Sequence, residues 1–391
     1  MRSRCVLMLC AISLVCAGCW SFVEPVDLTV ASAFAVDSAE NTQVTLCVEL
    51  VNPETVAGNG GAPEHPTRVL CATAHTVFES LRSLALTEGK RVFLGNSDVL
   101  VIGRELAATR GVSPALDFVK RQRELRRTLL LVLGDADVST LLATRTLRDT
   151  AAEEMQGLLQ LGNITGFVTS MTAREFMLDM ALPGIHPVLP VCGLDIPQQA
   201  ETEQSEQEQE SGSHLALRMD RMALFRDDRL QTILSADESR GLLWLRGALK
   251  GTALGIPLTE QDWLTVMVVS ADAKIKPNTA GNGLPTFEIL IDIVAELADA
   301  HTQTNAALAN ADLHSLERRI AEFVTQEASN TMRLLQEVYH LDSIGLGLVV
   351  YRLEPDIWQT SGAAWHDVFQ TVKWQIHTTV SIRSTGAVQE R

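Results

Sequence analysis

The sequence predicts an α+β protein of more than one domain, with mainly antiparallel sheets and packed helices. Three observations lead to this prediction. Hydrophobic residues make up 46% of the 391 residues and charged residues 20%, a composition that can bury a sizeable core. The length suggests about two or three domains. Segments with strand and helix periodicity follow one another without the regular alternation of a doubly wound parallel sheet.

The first half contains strand and helix patterns in mixed order. Alternating apolar residues from Val44 to Leu50 predict a half-buried strand over 42–51. Further strands are predicted over 92–94, 98–102 and 128–133, with an extended segment over 187–194. Helical spacing predicts helices over 73–86, 114–122, 138–145, 151–161 and 172–180, and Pro114 suits the first turn of the second of these.

An acidic segment interrupts these patterns. Residues 198–213 hold five Glu and several Gln, no Lys or Arg, and no apolar period, which predicts a solvated linker or a long surface loop. A long charged helix is the alternative. We therefore expect an N-terminal domain over 19–197, either whole or subdivided, and a C-terminal domain over 214–391.

The second half predicts more strands and one long helix. Ser235 and Glu238 form a capping box at the start of a helix that carries Leu242 to Trp244, and we interpret that helix as a core element rather than a ligand site. The longest helical pattern covers 312–339. Strands are predicted over 222–225, 230–234, 263–276, 287–297 and 372–383.

The N-terminus predicts export. Arg2 and Arg4 precede an uncharged, mostly apolar run over 5–17, which has the length of a signal peptide and is too short to span a bilayer. Small residues lead to Cys19 and resemble the bacterial lipobox, in which the Cys thiol is lipidated and residues 1–18 are removed; Cys16 stands where Leu or Val is usual. An ordinary secretory signal or a short core helix are the alternatives. Two acyl chains would hold the protein stably on a membrane.

Four cysteines remain after such cleavage: Cys19, Cys47, Cys71 and Cys192. None lies in a C-x-x-C motif or at zinc-site spacing. An exported protein can form a Cys47–Cys71 disulfide, but we expect buried free thiols as the simpler arrangement.

Few residues carry a catalytic or binding pattern. No phosphate loop, H-E-x-x-H or G-x-S-x-G motif is present, so we expect no catalytic, cofactor-binding or metal-binding residues. Asp135 and Asp137, and the pair Asp227 and Asp228, are better explained by turns and strand ends than by acid–base catalysis. The net charge of −16 argues against a nucleic-acid partner.

One basic cluster contrasts with this acidic background. It contains Lys120, Arg121, Arg123, Arg126 and Arg127. A solvated helix end is the simplest interpretation, and lipid headgroups or an acidic partner are the alternatives.

Several segments together resemble the Ger(x)C family, the lipoprotein C subunits of spore germinant receptors. The resemblance runs from the lipobox to the last predicted strand. In the first half it includes Cys19-Trp20 with Glu24, where Ser21 replaces the family's acid, and the runs over 78–82, 96–107 and 117–121. In the second half it includes, in order, the runs over 222–230 and 238–244, Ile344 to Gly347, Pro355, Trp358, Trp365, Phe369 and the run over 382–386.

The resemblance implies a function without enzymatic chemistry. A Ger(x)C protein would lie on the outer face of the spore inner membrane, held by lipid on Cys19, and would assemble with membrane A and B subunits into a nutrient receptor. It implies α+β domains of unusual topology and no catalytic residues. Which germinant is sensed, and whether this subunit binds it, do not follow. A lipid-anchored solute-binding protein or another envelope lipoprotein is the alternative.

Overall fold

The computed structural model describes residues 27–52, 66–144, 148–195, 215–259, 262–278, 284–301 and 313–384. The predicted signal peptide, Cys19 and the acidic segment 198–213 lie outside the described residues.

A nine-stranded sheet organises the larger part of the fold. Its strands are β1 (Leu28–Ser38), β2 (Val44–Val51), β3 (Thr67–Ala74), β4 (Arg91–Phe93), β5 (Val99–Gly103), β6 (Leu130–Gly134), β7 (Val188–Asp195), β8 (Ala216–Arg226) and β9 (Arg229–Ile233). The strand order is β3-β2-β1-β5-β6-β7-β8-β9, and β4 pairs with the start of β1. The outer pairs are antiparallel, whereas β1, β5, β6 and β7 run parallel to one another.

Six helices flank this sheet in the described part of the chain. They are α1 (Val77–Glu88), α2 (Arg104–Thr109), α3 (Ser113–Arg121), α4 (Val138–Ala143), α5 (Ala151–Thr165) and α6 (Ala173–Ala181). β5 and β6 are almost entirely buried, as expected for parallel strands covered by helices. The centre of the sheet is therefore parallel and covered by helices, whereas the outer strand pairs have the predicted antiparallel direction.

A four-stranded sheet and a long helix form the second packing unit. The strands are β10 (Thr252–Pro257), β11 (Trp263–Asn278), β12 (Thr286–His301) and β13 (Trp374–Ser384), in sequence order, with β12 and β13 parallel. The helices are α7 (Ala236–Arg246), α8 (Leu313–Arg333), α9 (Leu346–Leu353), α10 (Pro355–Ser361) and α11 (Trp365–Phe369). A π-helical turn, Leu334–Tyr339, continues α8, so the predicted helix over 312–339 is confirmed as two helical types in series. The predicted α+β class is confirmed.

β7 and β8 are neighbours in the large sheet although the acidic segment separates them in sequence. Asp195 pairs with Ala216, and the antiparallel register continues to Val188 and Leu224. The chain therefore leaves and re-enters one sheet on either side of residues 196–214. β8 and β9, which follow the acidic segment, complete a sheet built mainly from residues that precede it.

The expectation of free thiols is wrong for two cysteines. Cys47 of β2 and Cys71 of β3 lie directly opposite each other and form a disulfide, with their Cα atoms 4.0 Å apart. The strand over 67–74 is not among the predicted strands, so no sequence pattern placed the two thiols in register. Cys192 is a buried free thiol, as expected, and burial raises its pKa to about 12.

Candidate functional site

A groove of about 530 Å³ opens between α1 and α3. Phe78 and Phe118 are aromatic residues in its lining, while Arg110, Asp117 and Arg121 make it polar. The groove is therefore suited to an amphipathic group that presents apolar surface and charge together.

Local sequence signals position the two helices. The Thr76 hydroxyl accepts the backbone N–H of Glu79 at 3.2 Å and caps α1. Phe78 lies on the outer face of α1, with 48% of its surface exposed. Pro114 lies in the first turn of α3, as predicted. Phe118 turns inward and meets Phe34 of β1 edge to face, with ring centroids 6.1 Å apart.

Cationic side chains lie beside this groove. The guanidinium of Arg110 donates to the carbonyl oxygens of Thr42 and Gln43 at 2.8 and 2.9 Å, and Arg82 lies 5.0 Å from the centre of the Phe78 ring. Phe78 is thus an exposed aromatic ring with a cation on one face, an arrangement that suits a binding surface better than a reaction centre.

The predicted basic cluster adjoins the groove at the end of α3. Lys120, Arg121, Arg123, Arg126 and Arg127 are all exposed. The Lys120 ammonium approaches Asp117 at 3.7 Å, a weak surface contact. The structure therefore brings together the basic residues that the sequence identified, and it places Arg121 in both the cluster and the groove lining.

Asp342 organises the loop that contains Gly345 and Gly347, part of the segment that resembles the Ger(x)C family. The carboxylate is fully buried and accepts the backbone N–H groups of Gly345, Leu346 and Gly347 at 2.7–2.9 Å. It also accepts the indole N–H of Trp365 at 2.9 Å. Burial raises the pKa of Asp342, against the lowering effect of these four donors. Asp342 is not among the residues predicted from the sequence, although its position three residues before Gly345 is a signal for such a loop.

The Gly345-x-Gly347 motif is structural. Gly345 has a φ of +86°, which favours glycine, and a Cβ on Gly347 would lie 2.3 Å from the Trp365 indole nitrogen. The motif thus packs a loop against Trp365, so its glycines serve the fold.

α7 is a core element, as predicted. Leu242 to Leu245 are buried, and Arg240 forms a buried ion pair with Glu327 of α8. The Trp244 indole N–H donates to the same carboxylate at 2.8 Å. One carboxylate therefore joins α7 and α8.

The paired carboxylates have structural partners, as predicted. Asp135 accepts from Arg104 at 2.6 Å and from Arg221 at 3.0 Å. Asp137 caps α4, and hydrogen bonds from Ser139 and Thr140 lower its pKa. Asp227 lies in the turn between β8 and β9 with a φ of 54°. In the described ranges no group of three or more His, Cys, Asp or Glu side chains is arranged to hold a metal ion.

Two protein-family models match the chain and together span most of it. The model described as spore germination protein N-terminal domain matches residues 22–194. The model described as spore germination B3/GerAC like, C-terminal, matches residues 220–386. The chain belongs to the GerAC family of spore germination proteins. The resemblance seen in the sequence, written there as Ger(x)C, is confirmed.

Relatives and a solved structure agree with this GerAC membership. Spore germination protein KC of Bacillus subtilis (strain 168) is 24% identical, over 97% of this chain and 95% of that protein. Spore germination protein B3 of the same organism is 22% identical, over 95% of each chain. The crystal structure of the GerBC protein has the same fold, with a TM-score of 0.57 at 17% identity over 89% of this chain and 96% of that one. Among the residues that the structure describes, no helix is both long and apolar enough to cross a bilayer.

Proposed function

We propose that this GerAC family member is a non-enzymatic, lipid-anchored subunit of a nutrient germinant receptor. It assembles with membrane A and B subunits on the outer face of the spore inner membrane, with lipid on Cys19. The observation that carries the proposal is the family match in both halves of the chain, over 22–194 and 220–386. The lipobox-like sequence that ends at Cys19 supports the anchor.

The carboxylates in the interior of the fold accept hydrogen bonds from donors of the chain itself. Asp342 bonds four donors within its own loop, and Glu49 accepts the Ala151 and Ala152 N–H groups at 2.7 and 3.2 Å. Glu327 joins α7 to α8. These groups stabilise the fold, and the exposed groove around Phe78 is the surface that we assign to contact with the membrane subunits.

Spores test the function directly. A deletion strain is complemented with the wild-type chain or with Cys19→Ala, and dipicolinate release is followed over a panel of nutrients. We expect the deletion to lose the response to one nutrient class and Cys19→Ala to restore it poorly. A normal response to every nutrient in the deletion, in a strain where the other receptors are also deleted, would contradict the receptor function.

Two biochemical measurements test the finer parts of the proposal. Detergent-phase partitioning and mass spectrometry of the N-terminal peptide should show acylation on Cys19 and none in Cys19→Ala. Phe78→Asp should fold normally and co-purify less membrane subunit, whereas the matched control Leu161→Asp, at another exposed apolar residue, should not. Unchanged co-purification of Phe78→Asp would exclude the groove as the subunit contact.

A further inference from the structure

The described chain begins at one end of the large sheet, which we name the proximal end. Leu28 of β1 pairs with Arg91 of β4, and parallel pairing brings the starts of β5 and β6 to the same end. The Asp98 N–H donates to the Ser32 carbonyl at 3.0 Å, and the Leu130 N–H donates to the Asp98 carbonyl at 2.9 Å. The segment between Cys19 and Asp27 therefore joins the molecule at the proximal end.

The basic cluster lies at this same end. Residues 122–129 lead directly into β6, and Glu124 of this loop forms an ion pair with Arg91 at 2.9 Å. Leu125 and Leu129 are buried and fix the loop against the sheet. The loop therefore presents its charged side chains from a defined position.

Five exposed arginines at the proximal end form no ion pair within the described residues. They are Arg121, Arg123, Arg126, Arg127 and Arg174. Arg174 joins the others because its backbone N–H donates to the Arg127 carbonyl at 3.1 Å. This concentration of unpaired positive charge is unusual in a chain whose net charge is −16.

Two carboxylates at this end are covered by their arginine partners. The side chain of Glu124 is 15% exposed against 52% for Arg91, and that of Glu88 is 5% exposed against 59% for Arg68. At both pairs the charge that faces solvent is therefore the positive one.

The exposed carboxylates nearby are fewer than the exposed cations. Among the described residues they are Asp27, Asp98, Asp117, Glu175 and, where α5 begins beside Glu49, Asp149 and Glu153. Glu175 accepts the Thr172 N–H at 2.9 Å in the capping box of α6, and Asp117 faces Lys120. In the described part of the proximal end, exposed cations therefore outnumber exposed carboxylates.

We propose that the proximal end faces the membrane and that its arginines bind anionic phospholipid headgroups, which holds the protein in one orientation on the bilayer. This rests on the proposed lipid on Cys19. The eight Cα–Cα steps from Cys19 to Asp27 span at most about 28 Å when extended, so an anchor there keeps this end near the bilayer. Basic side chains are attracted to an anionic surface within a Debye length of about 8 Å.

Leu86 adds an apolar contact to this surface. It lies in the last turn of α1, two residues before Glu88, and is 88% exposed. The Thr29 hydroxyl donates to Glu88 at 2.9 Å, which places this turn beside the start of β1. An exposed leucine among arginines suits the boundary between headgroups and acyl chains.

The experiment holds the mature chain on vesicles by an artificial tether. The chain carries Cys19→Ala and an N-terminal histidine tag and is bound to vesicles that contain a nickel-chelating lipid, so the result does not depend on whether Cys19 is lipidated in cells. A fluorescent label is attached at Thr128→Cys, at the proximal end, or at Glu40→Cys, beyond the far end of β1. Quenching by a headgroup spin-labelled lipid reports which end meets the bilayer.

With phosphatidylglycerol in the vesicles, we expect quenching at residue 128 to exceed quenching at residue 40 severalfold. Phosphatidylcholine alone or high salt should remove most of the difference. The triple variant Arg123→Gln, Arg126→Gln, Arg127→Gln should behave in phosphatidylglycerol as the parent does in phosphatidylcholine. Each basic residue strengthens binding about fivefold, so the untethered triple variant should also partition onto these vesicles about a hundredfold more weakly.

The matched control removes the same charge elsewhere, with Arg229→Gln, Arg318→Gln and Arg352→Gln at exposed positions. It should leave quenching at residue 128 unchanged. Equal quenching at the two labels, or no dependence on phosphatidylglycerol, would overturn the proposal. In that case we would infer that the arginines bind an acidic protein surface. Reduced co-purification of a membrane subunit with the triple variant would identify that subunit as the partner.

Discussion

Single buried side chains set the conditions under which this fold is stable. His186 precedes β7, and its backbone N–H donates to the Asp342 carbonyl at 2.9 Å. Its ring nitrogen Nδ1 is buried without a hydrogen-bond partner in the described part of the chain. Burial, assisted by the charge of Arg226, lowers the pKa of His186 to about 4. The native protein therefore keeps this imidazole neutral.

We predict that His186 makes stability depend on pH between about 6.5 and 4. The unfolded chain binds a proton in this window and the folded chain does not, so stability falls as the pH is lowered. Relative to His186→Gln, the wild-type protein should lose about 2 kcal/mol of unfolding free energy between pH 7 and pH 5. Urea denaturation at the two pH values measures this.

The exposed residue His377 of β13 supplies the control. His377→Gln should retain the pH dependence of the wild type. Identical pH dependence in His186→Gln and the wild type would show that another group is responsible.

Helix α7 is fixed to α8 by one carboxylate. Both side chains of the Arg240–Glu327 pair are 12% exposed, and Trp244 donates to the same group. We predict that Arg240→Ala lowers the unfolding free energy by about 3 kcal/mol, because it leaves Glu327 charged and partly buried. A double-mutant cycle that combines Arg240→Ala with Glu327→Gln should give an interaction free energy above about 1 kcal/mol between the two side chains. Arg352→Ala, at an exposed residue of α9, should change stability little.

The edge of the large sheet is held by a covalent bond between β2 and β3. Cys47 and Cys71 lie 24 positions apart in the sequence, and the segment between them includes residues 53–65. We predict that the double variant Cys47→Ser, Cys71→Ser has an unfolding free energy about 3 kcal/mol lower than the wild type. The reason is that the unfolded chain gains conformational entropy when the disulfide no longer closes the segment between the two cysteines. Denaturation with and without a reductant measures this. The stability of Cys192→Ser should fall with reductant as that of the wild type does. If reductant leaves the stability of the wild type unchanged, the Cys47–Cys71 disulfide does not stabilise the fold.

Local patterns predicted elements well where the sequence carries a clear marker, such as a run of Val, Leu and Ile or a capping box. The strands over 98–102 and 187–194 and the capping-box helix at Ser235 are confirmed. β1 was missed because its Ala-rich run has few of the β-branched and Leu residues that mark β5, and it shows no apolar–polar alternation. The basic cluster was visible because its residues are close in sequence. The groove was not, because Val44, Phe78 and Arg110 come from three separate segments.

At the scale of the whole molecule, the large sheet depends on residues from both halves. β8 covers β7, in which Leu189 and Val191 are buried. We predict that a chain ending after Asp195 aggregates or is rapidly proteolysed, because it exposes β7 as a long apolar edge. Co-expression with residues 215–391 should rescue it by restoring β8 and β9. A soluble, protease-resistant fragment ending at Asp195 would show that the first half folds alone.

The pairing of Asp195 with Ala216 also makes the acidic segment a suitable place to insert a reporter. Both ends of the connection stay fixed side by side by the β7–β8 ladder, so lengthening it changes only loop-closure entropy. Each doubling of such a loop costs only about 0.6 kcal/mol. A fluorescent protein inserted between Gln207 and Glu208 should therefore leave both sheets intact and allow the receptor subunit to be followed in germinating spores.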